Sequence, residues 1–111
     1  METTSTQYKH CDLIKIQGRI DSATAPQLTQ AINTSLDSGR YKLVLDFGEV
    51  EFISSAGLRV LINAQKTCRH YNRGEVVLAC VPANIFSALD IAGFTNLFKI
   101  FDDILSAVGN F

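Results

Sequence analysis

Residues 43–61, LVLDFGEVEFISSAGLRVL, pass from strand-like to helix-like patterning through two adjacent serines. Leu43, Val44 and Leu45 are apolar without alternation, as expected of a strand covered on both faces. Asp46, Glu49 and Phe52 follow, then Ser54 and Ser55. Leu58, Leu61 and Ile62 come next at helical spacing, with Arg59 between them. The chain therefore delivers two hydroxyls to a helix N-terminus, where backbone N–H groups are unpaired and the dipole favours negative charge. Such a position can cap the helix, bind an anion or present a serine for modification.

The flanking sequence repeats the alternation. Ile14, Ile16 and Ile20 alternate with Lys15, Gln17 and Arg19, which predicts a half-buried strand within residues 8–20. Asp21-Ser22-Ala23-Thr24 breaks that pattern. Thr24 with Gln27 fits a capping box, and Pro26 is tolerated in a first turn. Leu28, Ala31, Ile32 and Leu36 make one helical face, stopped at Gly39. A strand is expected over 42–47, and a helix from Ser55 to Asn72, ending at Gly74, with Arg59, Lys66, Arg69 and Arg73 outward. A buried strand over 75–81 ends at Pro82, and a short helix fits 83–92, stopped by Gly93. Residues 97–101 predict a last strand, and Asp102 or Asp103 a cap for a final helix carrying Ile104, Leu105 and Val108. Phe86, Phe94, Phe98 and Phe101 are expected to cover the core of this C-terminal part. This order of elements predicts one α/β domain over residues 1–111.

Composition excludes several classes. An apolar fraction of 47% over 111 residues supports a real core without metal or disulfide staples. A formal charge of −1 gives no pull toward nucleic acid, and no apolar run approaches the roughly 20 residues of a membrane helix. The start, METTSTQYKH, has no signal-peptide core, so a cytoplasmic protein without membrane insertion is expected. Cys11, Cys68 and Cys80 are odd in number and form no C-x-x-C pair, which fits reduced packing thiols.

No phosphate-binding loop is present, and Gly18 stands alone rather than opening a G-x-G-x-x-G turn. His10 and His70 have no metal-ligand spacing, so neither metal nor cofactor is expected. A serine hydrolase would place a strained elbow at Ser55-Ala56-Gly57. The glycine required two residues before the nucleophile is Ile53, and neither histidine is followed by a recognisable orienting acid. An enzyme is therefore not expected.

FISSAGLRVL, preceded by LVLDFGEV, resembles the signature of the STAS domain of bacterial anti-sigma factor antagonists. The segment Gly18-Arg19-Ile20-Asp21-Ser22-Ala23-Thr24-Ala25-Pro26-Gln27-Leu28 resembles that family's first strand-to-helix turn. The resemblance implies a STAS-type α/β fold: a small mixed, mostly parallel sheet with an N-terminal antiparallel component and packed helices. It also implies partner switching. The serine at the start of the second helix, Ser55 here, is the expected phosphorylation site. Ser54 stands where the family commonly carries Asp, and is the alternative acceptor.

By the same resemblance the partners would be an anti-sigma factor or serine kinase of the histidine-kinase-like ATPase fold, and a PP2C-type phosphatase. The implied partner-binding residues are Asp21, Ser22, Thr24, Phe52, Ile53, Ser54, Gly57, Leu58 and Arg59. Asp21, Asp46, Glu49 and Glu51 are expected on loops beside the serines, where they would repel an added phosphate. Two alternatives within the family are a non-switching subunit, for example beside an ABC-type lipid transporter, and a ligand-sensing module.

Overall fold

The computed structural model describes residues 1–71 and 74–111. Its five strands are β1 (Glu2–Gln7), β2 (Asp12–Ile20), β3 (Lys42–Ile53), β4 (Glu75–Ala79) and β5 (Lys99–Phe101). The helices are α1 (Ala25–Asp37), α2 (Ser55–His70), α3 (Ala83–Ile91) and α4 (Ile104–Gly109), with a single 3₁₀ turn at Thr95–Leu97. The strands lie side by side in chain order. β1 is antiparallel to β2, and the other pairings are parallel. The expected helix end at Asn72 and the outward Arg73 lie outside the described residues.

Two apolar layers explain the unbroken run at Leu43–Leu45. On one face, Leu28 and Ile32 of α1, Leu58 and Leu61 of α2, and Ile85 and Leu89 of α3 pack on Ile14, Ile16, Leu43 and Leu45. On the other, Ala107 of α4 joins Val44, Val77 and Ala79, with Ile104 and Val108 against them. Both sides of β3 are thus covered, which removes the pressure for polar alternation.

Three elements differ from expectation. β1 is a polar edge strand, laid on the ladder that β2 offers, with its threonines suited to an extended backbone. β3 extends to Ile53 rather than stopping at residue 47. Its pairing with β2 slips between Lys15 and Gln17 and between Gly18 and Arg19, where Gly18 takes φ +100°. These bulges keep a strand going through a stretch whose sequence has lost its period. β4 stops at Ala79, two residues before the expected end, because Cys80 turns into the left-handed region at φ +58°.

Gln65 is buried within the apolar face of α2. Its side-chain oxygen accepts from the Val76 N–H at 2.7 Å, and its nitrogen donates to the carbonyls of Val76 and Leu97. This ties α2 to the start of β4 and to the segment before β5. Of the four phenylalanines expected as core cover, Phe98 is buried, Phe94 and Phe101 are half-buried, and Phe86 is exposed. Phe86 lies on the outer side of α3, at the surface rather than in the core.

Candidate functional site

Parallel pairing brings the C-terminal ends of β2, β3, β4 and β5 to one pole of the sheet. The turn at residues 21–24, the junction at Ser54, and the loops 80–82 and 102–103 gather there. Both serines belong to this pole.

The junction between β3 and α2 is short. Ser54 remains extended at φ −92°, ψ 174°, and its N–H donates to the Ile20 carbonyl at 2.8 Å. Its hydroxyl accepts from the Gly57 N–H at 3.4 Å, a long cap bond. Ser55 is the first helical residue, and its side chain is exposed. The N–H groups of Ser55 and Ala56 have no intrahelical acceptor, so the dipole end faces the solvent around the Ser55 hydroxyl.

What fixes this junction is close packing beneath it. A Cβ on Gly57 would stand 2.6 Å from Ile20 Cγ2 and 2.8 Å from Ile53 Cγ1. Only a glycine lets the first turn of α2 descend so far onto β2 and β3. Ile53, Gly57 and Leu58 are consequently buried. These three, expected at a partner contact, form the floor beneath the serines.

The turn between β2 and α1 is held differently. The Asp21 carboxylate accepts from the backbone N–H groups of Ala23 and Thr24 at 3.0 and 3.1 Å. The Thr24 hydroxyl accepts from the Asp21 N–H at 2.9 Å and donates to the Arg19 carbonyl at 2.8 Å. Thr24 therefore makes no side-chain cap bond to α1, and Gln27 donates to the Met1 carbonyl. The expected capping box is replaced by an Asp–Thr turn, because the hydroxyl is already saturated. The N–H of Thr24, more than any other group, holds the Asp21 carboxyl below its ordinary pKa.

Phe52, Ser22 and Arg59 are exposed, while Asp21, Thr24 and Ser54 are half-buried. Phe52 is not bare: the Arg19 guanidinium lies over its ring, 4.4 Å from the centroid. The sequence pattern marks Arg19 only as an outward strand residue. Asp46, Glu49 and Glu51 sit on β3 itself rather than on loops. The Asp46 carboxylate accepts from the Gly48 N–H at 2.9 Å, and Glu49 pairs with Lys15 at 3.7 Å. Asn84 at the start of α3 donates to the Glu51 carbonyl at 3.0 Å, a link with no sequence signal.

The chemistry available here is that of an exposed hydroxyl on a closely packed base. His10 precedes β2 and His70 ends α2, so both lie at the far pole from Ser55 and neither can serve it as a base. Among the described residues, no three or more His, Cys, Asp or Glu side chains gather as a metal site would require. The three cysteines are free, and burial raises the Cys68 thiol to about 11. No helix among the described residues is long and apolar enough to cross a membrane.

Residues 3–107 match the model of the STAS domain family. A Bordetella bronchiseptica protein assigned as an anti-sigma factor antagonist, BtrV, is 36% identical over 85 residues, covering 77% of this chain and 72% of that protein. An anti-sigma-B factor antagonist of Listeria monocytogenes is 30% identical, over 82% of this chain and 78% of its own length. In fold, the chain matches the crystal structure of a Thermotoga maritima protein assigned to the same role, with a TM-score of 0.90. The identity is 19%, and the match covers 97% of this chain and 92% of that one.

Proposed function

The chain belongs to the STAS domain family and resembles its anti-sigma factor antagonists; on that premise we propose that it is a partner-switching regulator controlled at Ser55. Unmodified, it binds an anti-sigma factor or a serine kinase of the histidine-kinase-like ATPase fold. Phosphorylation of Ser55 releases it, and a PP2C-type phosphatase resets it. The protein acts in the cytoplasm and catalyses nothing itself.

One observation carries this reading: Ser55 is exposed on the first residue of α2, above a closely packed floor of Ile20, Ile53 and Gly57. Ser54 is half-buried and spends its hydroxyl on the Gly57 N–H, which makes it the poorer acceptor. The contact rim is then Asp21, Ser22, Thr24, Phe52, Ser54 and Arg59, with Ile53, Gly57 and Leu58 supporting it from below. A phosphoserine adds about −1.5 to −2 charge at a helix N-terminus, which the domain tolerates. A partner that covers the neutral tip must strip water from that charge. A penalty of about 3 kcal/mol weakens binding on the order of a hundredfold.

The test is incubation with ATP and histidine-kinase-like serine kinases encoded near this gene, then peptide mass spectrometry and calorimetric titration against the kinase or anti-sigma factor. The phosphate is expected on Ser55, with affinity reduced on the order of a hundredfold. Phosphate confined to Ser54 overturns the assignment. Equal affinity of both forms overturns the switch and leaves the non-switching subunit.

A further inference from the structure

We infer a second interaction surface at the pole opposite the serines, fitted to an acidic segment of a protein partner and independent of the state of Ser55. The N-terminal ends of the parallel strands meet here, with the loops 8–11 and 38–41. Between these loops lies a concavity of about 250 Å³ lined by Lys9, His10, Arg40, Tyr41 and Lys42, with Cys11 and Gly39. No carboxylate lines it.

Asp37, exposed at the end of α1, also lies beside these loops, and the cations around the concavity still outnumber the acids. Asp12 is buried and paired with Arg40, whose guanidinium also donates to the Tyr8 and Cys11 carbonyls. Glu75, across the ladder from Lys42, is already within 3.9 Å of Arg69 and 3.6 Å of Lys99. Lys9 and Lys42 are exposed, and neither has an ion pair among the described residues. The Asp12–Arg40 pair and the Arg40 bonds to Tyr8 and Cys11 tie the two loops together, and the two lysines add exposed positive charge beside the concavity.

Aromatic residues complete the surface. All three tyrosines of the chain are at this pole. Tyr8 and Tyr71 are exposed, and Tyr71 leans on Tyr41 with ring centroids 5.6 Å apart. Tyrosine and arginine are enriched at protein-binding surfaces, and the lysines beside them supply the charge that would select an acidic partner. A polyanion such as DNA or an anionic membrane needs an extended basic face. This chain carries a net charge of −1, and Asp21, Glu49, Glu51 and Asp102 at the far pole would repel one. A short acidic segment fits the small basic concavity and avoids that repulsion.

The probe is a fluorescein-labelled glutamate decapeptide, titrated at low ionic strength and read by fluorescence anisotropy. Lys9→Glu with Lys42→Glu should weaken binding by about tenfold or more, since like charges would face each other. Lys66→Glu, on the exposed side of α2, should change it by less than about twofold, and phosphorylated Ser55 should leave it unaltered. Thermal melts confirm that the surface variants fold. Absent binding, an equal loss in Lys66→Glu, or dependence on Ser55 phosphorylation overturns the inference. So does tighter binding of duplex DNA or phosphatidylserine vesicles through the same lysines. Self-association abolished by the double variant would make the occupant a second copy and likewise overturn it.

Discussion

Helices α1 and α2 begin one strand apart at the same pole, and they are held in opposite ways. The start of α1 is secured by polar bonds: Asp21 and Thr24 bind each other's backbone and reach the Arg19 carbonyl. The start of α2 is secured chiefly by contact, with Gly57 pressed onto Ile20 and Ile53, beside a backbone bond from the Ser54 N–H to the Ile20 carbonyl and one long side-chain bond from the Gly57 N–H to Ser54. A polar lock uses up the donors and acceptors of its turn. A packed lock leaves them free. The junction held from below is therefore the one that can offer a hydroxyl to a partner without losing its own support.

The contrast breaks most sharply at Gly57. Gly57→Ala forces a methyl into space occupied by two isoleucines, at a cost of about 1–3 kcal/mol, against at most about 1 kcal/mol gained in helix propensity. Urea denaturation should show a lower midpoint with an unchanged slope. A neutral result would mean that the floor yields. Thr24→Val keeps the shape of the α1 lock while removing its hydroxyl. The Asp21 N–H and Arg19 carbonyl lose a partner, and stability should fall by about 1 kcal/mol in the same assay.

Ser54→Ala should cost less, about 0.5 kcal/mol, because the bond it removes is long. A loss larger than that of Thr24→Val would reverse the comparison. The smallest effect is in acid. The folded pKa of Asp21 is lowered, chiefly by the Thr24 N–H, so its contribution is complete above the ordinary carboxylate pKa near about 4 and is lost as pH falls through the folded value. Asp21→Asn should flatten the decline of stability below about pH 4, read as denaturation midpoints across that range.

Much of this was legible because it followed a period. The alternation of Ile14, Ile16 and Ile20 and the apolar block at Leu43–Leu45 placed β2 and the first half of β3. Gly39 and Gly93, both at positive φ, marked two helix ends. Asp103 was one of two acids read as the cap of α4, and it accepts from the Ser106 N–H at 2.7 Å. Several of the failures have a common cause, since each depended on a partner distant in sequence. Glu2–Gln7 is a strand because β2 offers it a ladder, not because its own residues alternate in polarity. Gln65 is buried because the Val76 backbone needed satisfying, and nothing near Gln65 says so. At the serine junction the motif gave the position of Ser55. It could not show that Ile53, Gly57 and Leu58 face inward, which follows only once β2 is laid against β3.

The order of strands has a consequence for how such a chain is made. Each strand pairs with the one synthesised just before it, so the sheet can be laid down in sequence as the polypeptide leaves the ribosome. No strand must wait for a distant segment to arrive and insert itself. The platform beneath Ser55 is drawn from β2, β3 and the first turn of α2, all within residues 12–58. The end of the molecule that carries Ser55 is thus encoded in the half that emerges first, and the later half follows as its cover.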